Sequence, residues 1–213
     1  MNLRPITATL LLAAGLTACS GSGTPTAQPS ATDAPSATSS PVTAAPTTPP
    51  QKPVPAESNP PGDIPDNLAF VDYANASGHY SFKHPEGWAE VEHGTVVTFT
   101  DKLNGVFVQL GPDTQPPTVQ QANQRDVPRL RQSQPAFELR KVTAVTLPSG
   151  SGVRIVYRRN SAPDAVTGRQ YRDEVERYEI VGHGREVIME LYGPVGADNV
   201  DAYRTMSRSL TFS

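Results

Sequence analysis

Guanidinium groups crowd one stretch of this chain: Arg154, Arg158, Arg159, Arg169, Arg172 and Arg177. Arginine recognises carboxylates and phosphates through paired N–H donors, so such a cluster is either an anion-binding surface or half of an ion-pair network. Carboxylates for that network are at hand, because Asp173, Glu174 and Glu176 are interleaved with Arg172 and Arg177. In a strand, Arg154 and Arg158 share one face, opposite Val153, Ile155 and Tyr157, and Glu174 and Glu176 share a face as well. If the two strands pair, a basic ladder meets an acidic one. This leaves two readings. One is internal salt-bridging on a solvated sheet face. The other is a binding face of Arg154, Arg158, Arg172 and Arg177 for an anionic lipid, a glycan or an acidic protein.

Catalytic chemistry finds less support. A zinc site needs three or four converging ligands. His79 and His84 have odd spacing on a strand and point to opposite faces, while His93 and His183 sit in glycine-containing turns. The default for these side chains is a solvated turn histidine. No Gly-x-Ser-x-Gly elbow, phosphate loop or dinucleotide fingerprint occurs, and Gly150-Ser151-Gly152 reads as a hairpin turn. Asp173, Glu174 and Glu176 read as an outward ladder stabilised by cross-strand pairing rather than as an acid–base pair. The expectation is a non-enzyme without metal or cofactor.

Cys19 is the only cysteine, so an intramolecular disulfide and a thiolate metal cluster are both excluded. The residues before it assign the thiol a different use. Met1–Arg4 begins the chain with positive charge, and Ile6–Leu16 is eleven uncharged residues dominated by Leu and Ala. That length fits the apolar centre of an export signal and is too short to span a bilayer as a stable helix. The run ends Leu16-Thr17-Ala18-Cys19, the pattern of a bacterial lipoprotein signal. Small side chains at 17 and 18 let a peptidase reach the bond before Cys19, whose thiol takes a diacylglyceryl group as a thioether. Two acyl chains anchor far better than one, at about 0.8 kcal/mol per buried methylene. An ordinary secretory signal, with a small-residue cleavage site and a free thiol, is the alternative.

The stretch after the cysteine has a different composition. Residues 20–62 hold three charged side chains (Asp33, Lys52, Glu57), no aromatic, and eleven of the 22 prolines. Such a segment cannot bury enough apolar surface to offset its conformational entropy. It reads as a disordered tether spanning roughly 35–40 Å as coil, or over about 100 Å as polyproline II. The remainder is long enough for one compact domain with a core. It carries 16 basic and 19 acidic residues, which is no nucleic-acid footprint. The domain map is therefore a signal peptide at 1–18, the lipidated cysteine and tether at 19–66, and one domain at 67–213.

That domain must position whatever chemistry the arginines do. His79–His84, Trp88–Glu92, Thr95–Thr100 and Val106–Leu110 read as strands joined by turns, an antiparallel meander. Thr118 and Gln121 form a capping-box pair at the start of a helix that Pro128 kinks or divides. Phe137–Leu147, Val153–Arg159, Tyr171–Val181 and Glu186–Tyr192 are four further strands, with Gly182-His183-Gly184 as a tight turn. Asp198 caps a last helix whose Val200, Tyr203, Met206 or Ser207, and Leu210 share a face. The order implies an α+β fold, an antiparallel sheet of about seven or eight strands packed against two main helices.

The passage Tyr80-Ser81-Phe82-Lys83-His84-Pro85-Glu86-Gly87-Trp88, with the closing helix through Ser209-Leu210-Thr211-Phe212, resembles PsbP-like domains and in particular the LpqN-type lipoproteins of actinobacterial envelopes. The resemblance spans about residues 70–213. Its Pro-x-Gly-Trp turn is a structural signature in which Trp88 fills the core. It implies an accessory or binding role and carries over no catalytic set. The leading expectation is thus a lipid-anchored binding or scaffold protein on the extracytoplasmic face of the cell membrane. A carrier of a hydrophobic ligand, in a cavity lined by residues such as Phe107, Phe137 and Tyr192, is the second. A hydrolase is the third.

Overall fold

The computed structural model describes residues 50–58 and 62–213. Cys19, the export signal and most of the tether lie outside the described residues. Strands β1 (Phe70–Asn75), β2 (Tyr80–Pro85), β3 (Ala89–His93), β4 (Val96–Asp101) and β5 (Asn104–Leu110) come first. A helical stretch is next, made of α1 (Val119–Gln121), a π-helical segment (Ala122–Asp126) and α2 (Val127–Ser133). Then come β6 (Glu138–Leu147), β7 (Gly150–Asn160), β8 (Arg172–Gly182), β9 (Arg185–Pro194), α3 (Val200–Arg208) and β10 (Thr211–Phe212). The fold is α+β, as the order of elements requires.

The strands form two sheets rather than one. Seven are hydrogen-bonded in the order β3-β4-β5-β9-β8-β7-β6, and three in the order β1-β2-β10, all antiparallel. The expected four-strand meander is therefore broken after its first member. β2 stays with β1, and β3 opens the large sheet. The chain crosses between them through Pro85-Glu86-Gly87-Trp88. Gly87 has φ +83°, a left-handed backbone that favours glycine, and Trp88 is buried in a core shared by both sheets. Strand β1 has little hydrophobic alternation and β10 is two residues long, so neither was legible as a strand.

One face of the large sheet meets the small sheet and α3. Val97, Phe99, Val106, Val108, Ile180, Met189 and Leu191 pack there against Tyr80, Phe82, Met206 and Leu210. The other face meets the helical stretch, where Ala122, Val127 and Leu130 pack on Val153, Ile155, Tyr157 and Val175. Thr118 caps that stretch with the expected capping box. Pro128 falls where the stretch divides, in the first turn of α2. Proline has no N–H for the usual bond four residues back, and the turn before it widens, with Val127 N–H bonded to Ala122 O, five residues away.

Residues before 67 also make contacts with the body. Ile64 is buried in the first core, and its N–H donates to Asn199 Oδ1 at 2.8 Å. Upstream, Val54 N–H donates to Asn160 Oδ1 at 3.0 Å, and Asn160 Nδ2 donates to Lys52 O at 2.8 Å. Glu57 pairs with Arg169. Pro and Thr content alone does not register these specific bonds. Asn199 rather than Asp198 precedes the last helix, and its side chain is spent on Ile64 and Asn104.

Candidate functional site

α3 has nine residues, and with the small sheet it covers only part of one face of the large sheet. Along β6 and the adjoining part of β7 that cover thins: Leu147 is buried in the first core and Val145 packs against it, while Thr143 and Arg154 are only half-buried. There a groove of about 350 Å³ runs between α3 and the sheet. β6 supplies Thr143, Val145 and Leu147 to it, β7 supplies Arg154, and β8 supplies Glu176 and Tyr178. Antiparallel register explains the set: Thr143 is opposite Arg154, and Arg154 is opposite Tyr178, so their side chains emerge on the same face. α3 contributes Val200, Arg204, Ser207 and Arg208, spaced so that one side of the helix faces the groove. Val200 was expected on the same helix face as Tyr203 and Met206, which are buried. It is instead 62% exposed on the lip.

Arg154 Nη1 lies 3.5 Å from Glu176 Oε2, and Tyr178 donates its hydroxyl to the same oxygen at 2.6 Å. Burial and Glu176 push Tyr178 up to about 12, so the phenol stays a donor. Farther along the same face, Arg158 Nε donates to Glu174 Oε2 at 2.9 Å. The basic and acidic ladders thus meet across β7 and β8, as strand pairing requires.

The other two arginines of the expected binding face are not available on it. Arg172 is 5% exposed, donating to Ala136 O at 2.8 Å and to Glu138 Oε2 at 3.0 Å, which ties the start of β6 to β8. Arg177 points to the opposite face, under the helical stretch, where Nε donates to Glu179 Oε1 and Nη1 to Glu190 Oε1, both at 2.7 Å. Residues five apart on a strand take opposite faces, so Arg172 and Arg177 could not share one. The arginines that join Arg154 come from α3. Their only sequence signal was the four-residue spacing of Arg204 and Arg208.

Under the helices lies an ionic layer that sequence reading missed. Glu179, Glu186, Glu190, Asp173 and Asp126 are all buried. A cavity of about 80 Å³ is lined by Asp126, Arg177, Glu179 and Glu186. Arg125 holds Asp113 through both terminal nitrogens and Asp126 through Nε at 2.8 Å, and these bonds hold its charge more firmly. Arg159 lies 3.6 Å from Asp173 and 3.7 Å from Glu190. Glu186 Oε2 accepts the Asp113 N–H at 3.0 Å. One Glu179 oxygen, Oε2, has no hydrogen-bond partner among the described residues. Burial raises Glu179 and Glu186 above the usual carboxylate range and pushes Asp173 up to about 6.

The remaining candidates have structural surroundings. His84, expected to be solvated, is buried and stacks on Phe99 at a centroid distance of 3.8 Å, and burial lowers its pKa. His79 occupies the turn before β2, with φ +54°. Ser151 lies on β7, its hydroxyl 3.4 Å from that of Thr146. No group of three or more His, Cys, Asp or Glu side chains is placed to hold a metal ion among the described residues. Phe137 and Tyr192, named for a carrier cavity, pack against the second core. A second large cleft, of about 360 Å³, is lined by Asp66, Asp198 and Asp201 and has the opposite charge to the groove.

No family model and no curated protein matches this chain. Solved structures similar to it include the Ran-binding protein Mog1p of Saccharomyces cerevisiae, at 10% identity, covering 68% of this chain and 96% of that one, with a TM-score of 0.45. Cyanobacterial PsbP (CyanoP) from Synechocystis sp. PCC 6803 is similar at 16% identity, covering 71% and 98%, with a TM-score of 0.47. LpqN of Mycobacterium tuberculosis, described as involved in cell envelope biogenesis, is similar at 12% identity, covering 70% and 92%, with a TM-score of 0.42.

Proposed function

We propose that this chain is a lipid-anchored, non-enzymatic binding protein of the bacterial cell envelope, of the LpqN type, whose folded domain captures its partner through the α3–β6 groove. The observation that carries the reading is the groove itself: an open cleft of about 350 Å³ with arginines on both walls and Val145, Leu147 and Val200 along it. Clefts of this size that combine apolar lining with a few polar groups are suited to binding. A diacylglyceryl group on Cys19 holds the protein at the extracytoplasmic face of the membrane, and the Pro/Thr-rich tether lets the domain reach outward.

Two measurements test this. A clickable fatty-acid probe labels the wild-type chain in cells, and Cys19→Ser loses the label and is shed into the medium. A label-bearing Cys19→Ser chain overturns the anchor. A photo-crosslinking residue at Val200, on the groove lip, captures an envelope component that the same residue at Val166, 92% exposed in a distant loop, does not. Equal capture from both positions overturns the groove as the binding site.

A further inference from the structure

We propose that the α3–β6 groove binds the phosphate group of a larger molecule, with Arg154, Arg204 and Arg208 as its counter-charges. The proposal rests on the groove being the binding site and deepens it by naming the chemistry recognised. Three guanidinium groups and one carboxylate, Glu176, line the groove. Even with Arg204 paired to Asp201, the groove keeps a positive surplus, which suits an anionic phosphate monoester. It stands out on a chain whose net charge is −3.

Each of the three arginines is placed to exchange its present contacts for a ligand. Arg154 touches Glu176 only at 3.5 Å, the long end of a hydrogen bond. Arg204 pairs with Asp201 one turn back, and both side chains are largely exposed, an arrangement that contributes little and rearranges at little cost. Arg208 makes no ion pair among the described residues. A guanidinium presents its N–H groups as a planar fork, which suits the tetrahedral oxygens of phosphate. Phosphate alone is far smaller than the cleft, so the rest of the ligand lies along Val145, Leu147 and Val200. The acidic cleft lined by Asp66, Asp198 and Asp201 repels the same ligand.

The test uses the full chain carrying Cys19→Ser, so that no acyl anchor contributes. Titration with glycerol 3-phosphate, read by the arginine Nε–Hε resonances, gives saturable shifts at Arg154 and Arg208, and glycerol gives none. Arg204→Gln/Arg208→Gln weakens this affinity about tenfold or more, the cost of losing charge-assisted contacts. Both residues are exposed, so the thermal midpoint stays where it was. Cosedimentation with phosphatidic acid vesicles, but not phosphatidylcholine vesicles, assigns the phosphate to a lipid headgroup. Binding of glycerol 3-phosphate without vesicle retention assigns it to a soluble molecule. Either result supports the site. No saturable shift, or undiminished affinity in the double variant, overturns it. If crosslinking from Val200 persists in that event, the binding role stands and the phosphate assignment falls.

Discussion

Arg177 and Glu179 stand two residues apart on β8, on the same face of the strand, and the guanidinium Nε donates to Glu179 Oε1 at 2.7 Å beneath the helical layer. The same guanidinium reaches Glu190 on the neighbouring strand. One cation thus serves two buried carboxylates, while Glu186 and Asp126 share the adjoining cavity. Desolvated charges are held in place only while their partners remain.

Replacing Arg177 with Met therefore strips Glu179 and Glu190 of their shared cation. We expect a loss of about 3–5 kcal/mol in urea-induced unfolding at pH 7.5. A loss below about 1 kcal/mol, the range of an exposed ion pair, contradicts the buried network.

The same layer sets a pH dependence. Glu179 is raised from 4.5 to about 7, chiefly by burial, and Asp173 from 3.8 to about 6. A carboxyl raised on folding binds its proton more tightly in the native state. Its contribution to stability is complete below its unfolded value and lost as pH rises through its folded one. Stability should therefore fall between about pH 4 and 7, by on the order of 1–3 kcal/mol for Glu179. Glu179→Gln should flatten that slope, leaving the part due to Asp173 and Glu186. Denaturant midpoints measured across this range decide the matter, and an unchanged slope in the variant refutes it.

Asn160 fixes the segment before the domain. Asn160→Leu removes both its bonds to Val54 and Lys52. The Val54 amide should then exchange with solvent about tenfold faster, with core amides of β8 unchanged, since local opening and global unfolding are separate events. Hydrogen exchange measured by mass spectrometry reads both.

Gly111 lies against the carboxylate of Glu186: a Cβ there would sit 2.0 Å from Oε2, which also accepts the Asp113 N–H. Gly111→Ala forces that carboxylate off its partner. The expected cost is about 1–3 kcal/mol, measured by thermal unfolding. Combined with Glu186→Ala, the clash disappears, and the double variant should be more stable than the two single costs predict.

Much of the fold was legible because it is written in short-range pattern. The Thr118–Gln121 capping box, the long strands β6 to β9 and the apolar side of α3 at Tyr203 and Met206 depend on spacing over a few residues. The pairing of Arg154 and Arg158 with Glu176 and Glu174 came from strand alternation once β7 and β8 were adjacent. The same alternation places Arg172 and Arg177 on opposite faces, a consequence hidden when arginines were grouped by closeness in sequence. His84 reads as a polar residue between turns, yet it is buried because Phe99, on a strand of the other sheet, supplies a ring to stack on.

By itself the sequence determined the α+β class and the position of most elements. Each of these depends on residue type, charge and period within one stretch of chain. Only the tertiary structure decided that β2 leaves the meander for a second sheet, and that Arg204 and Arg208 face Arg154 across a groove. It alone gathered buried carboxylates around Arg125, Arg159 and Arg177 beneath a π-helical turn. Those outcomes arise where segments far apart in sequence compete for the same apolar face, and no local pattern encodes which of them is covered.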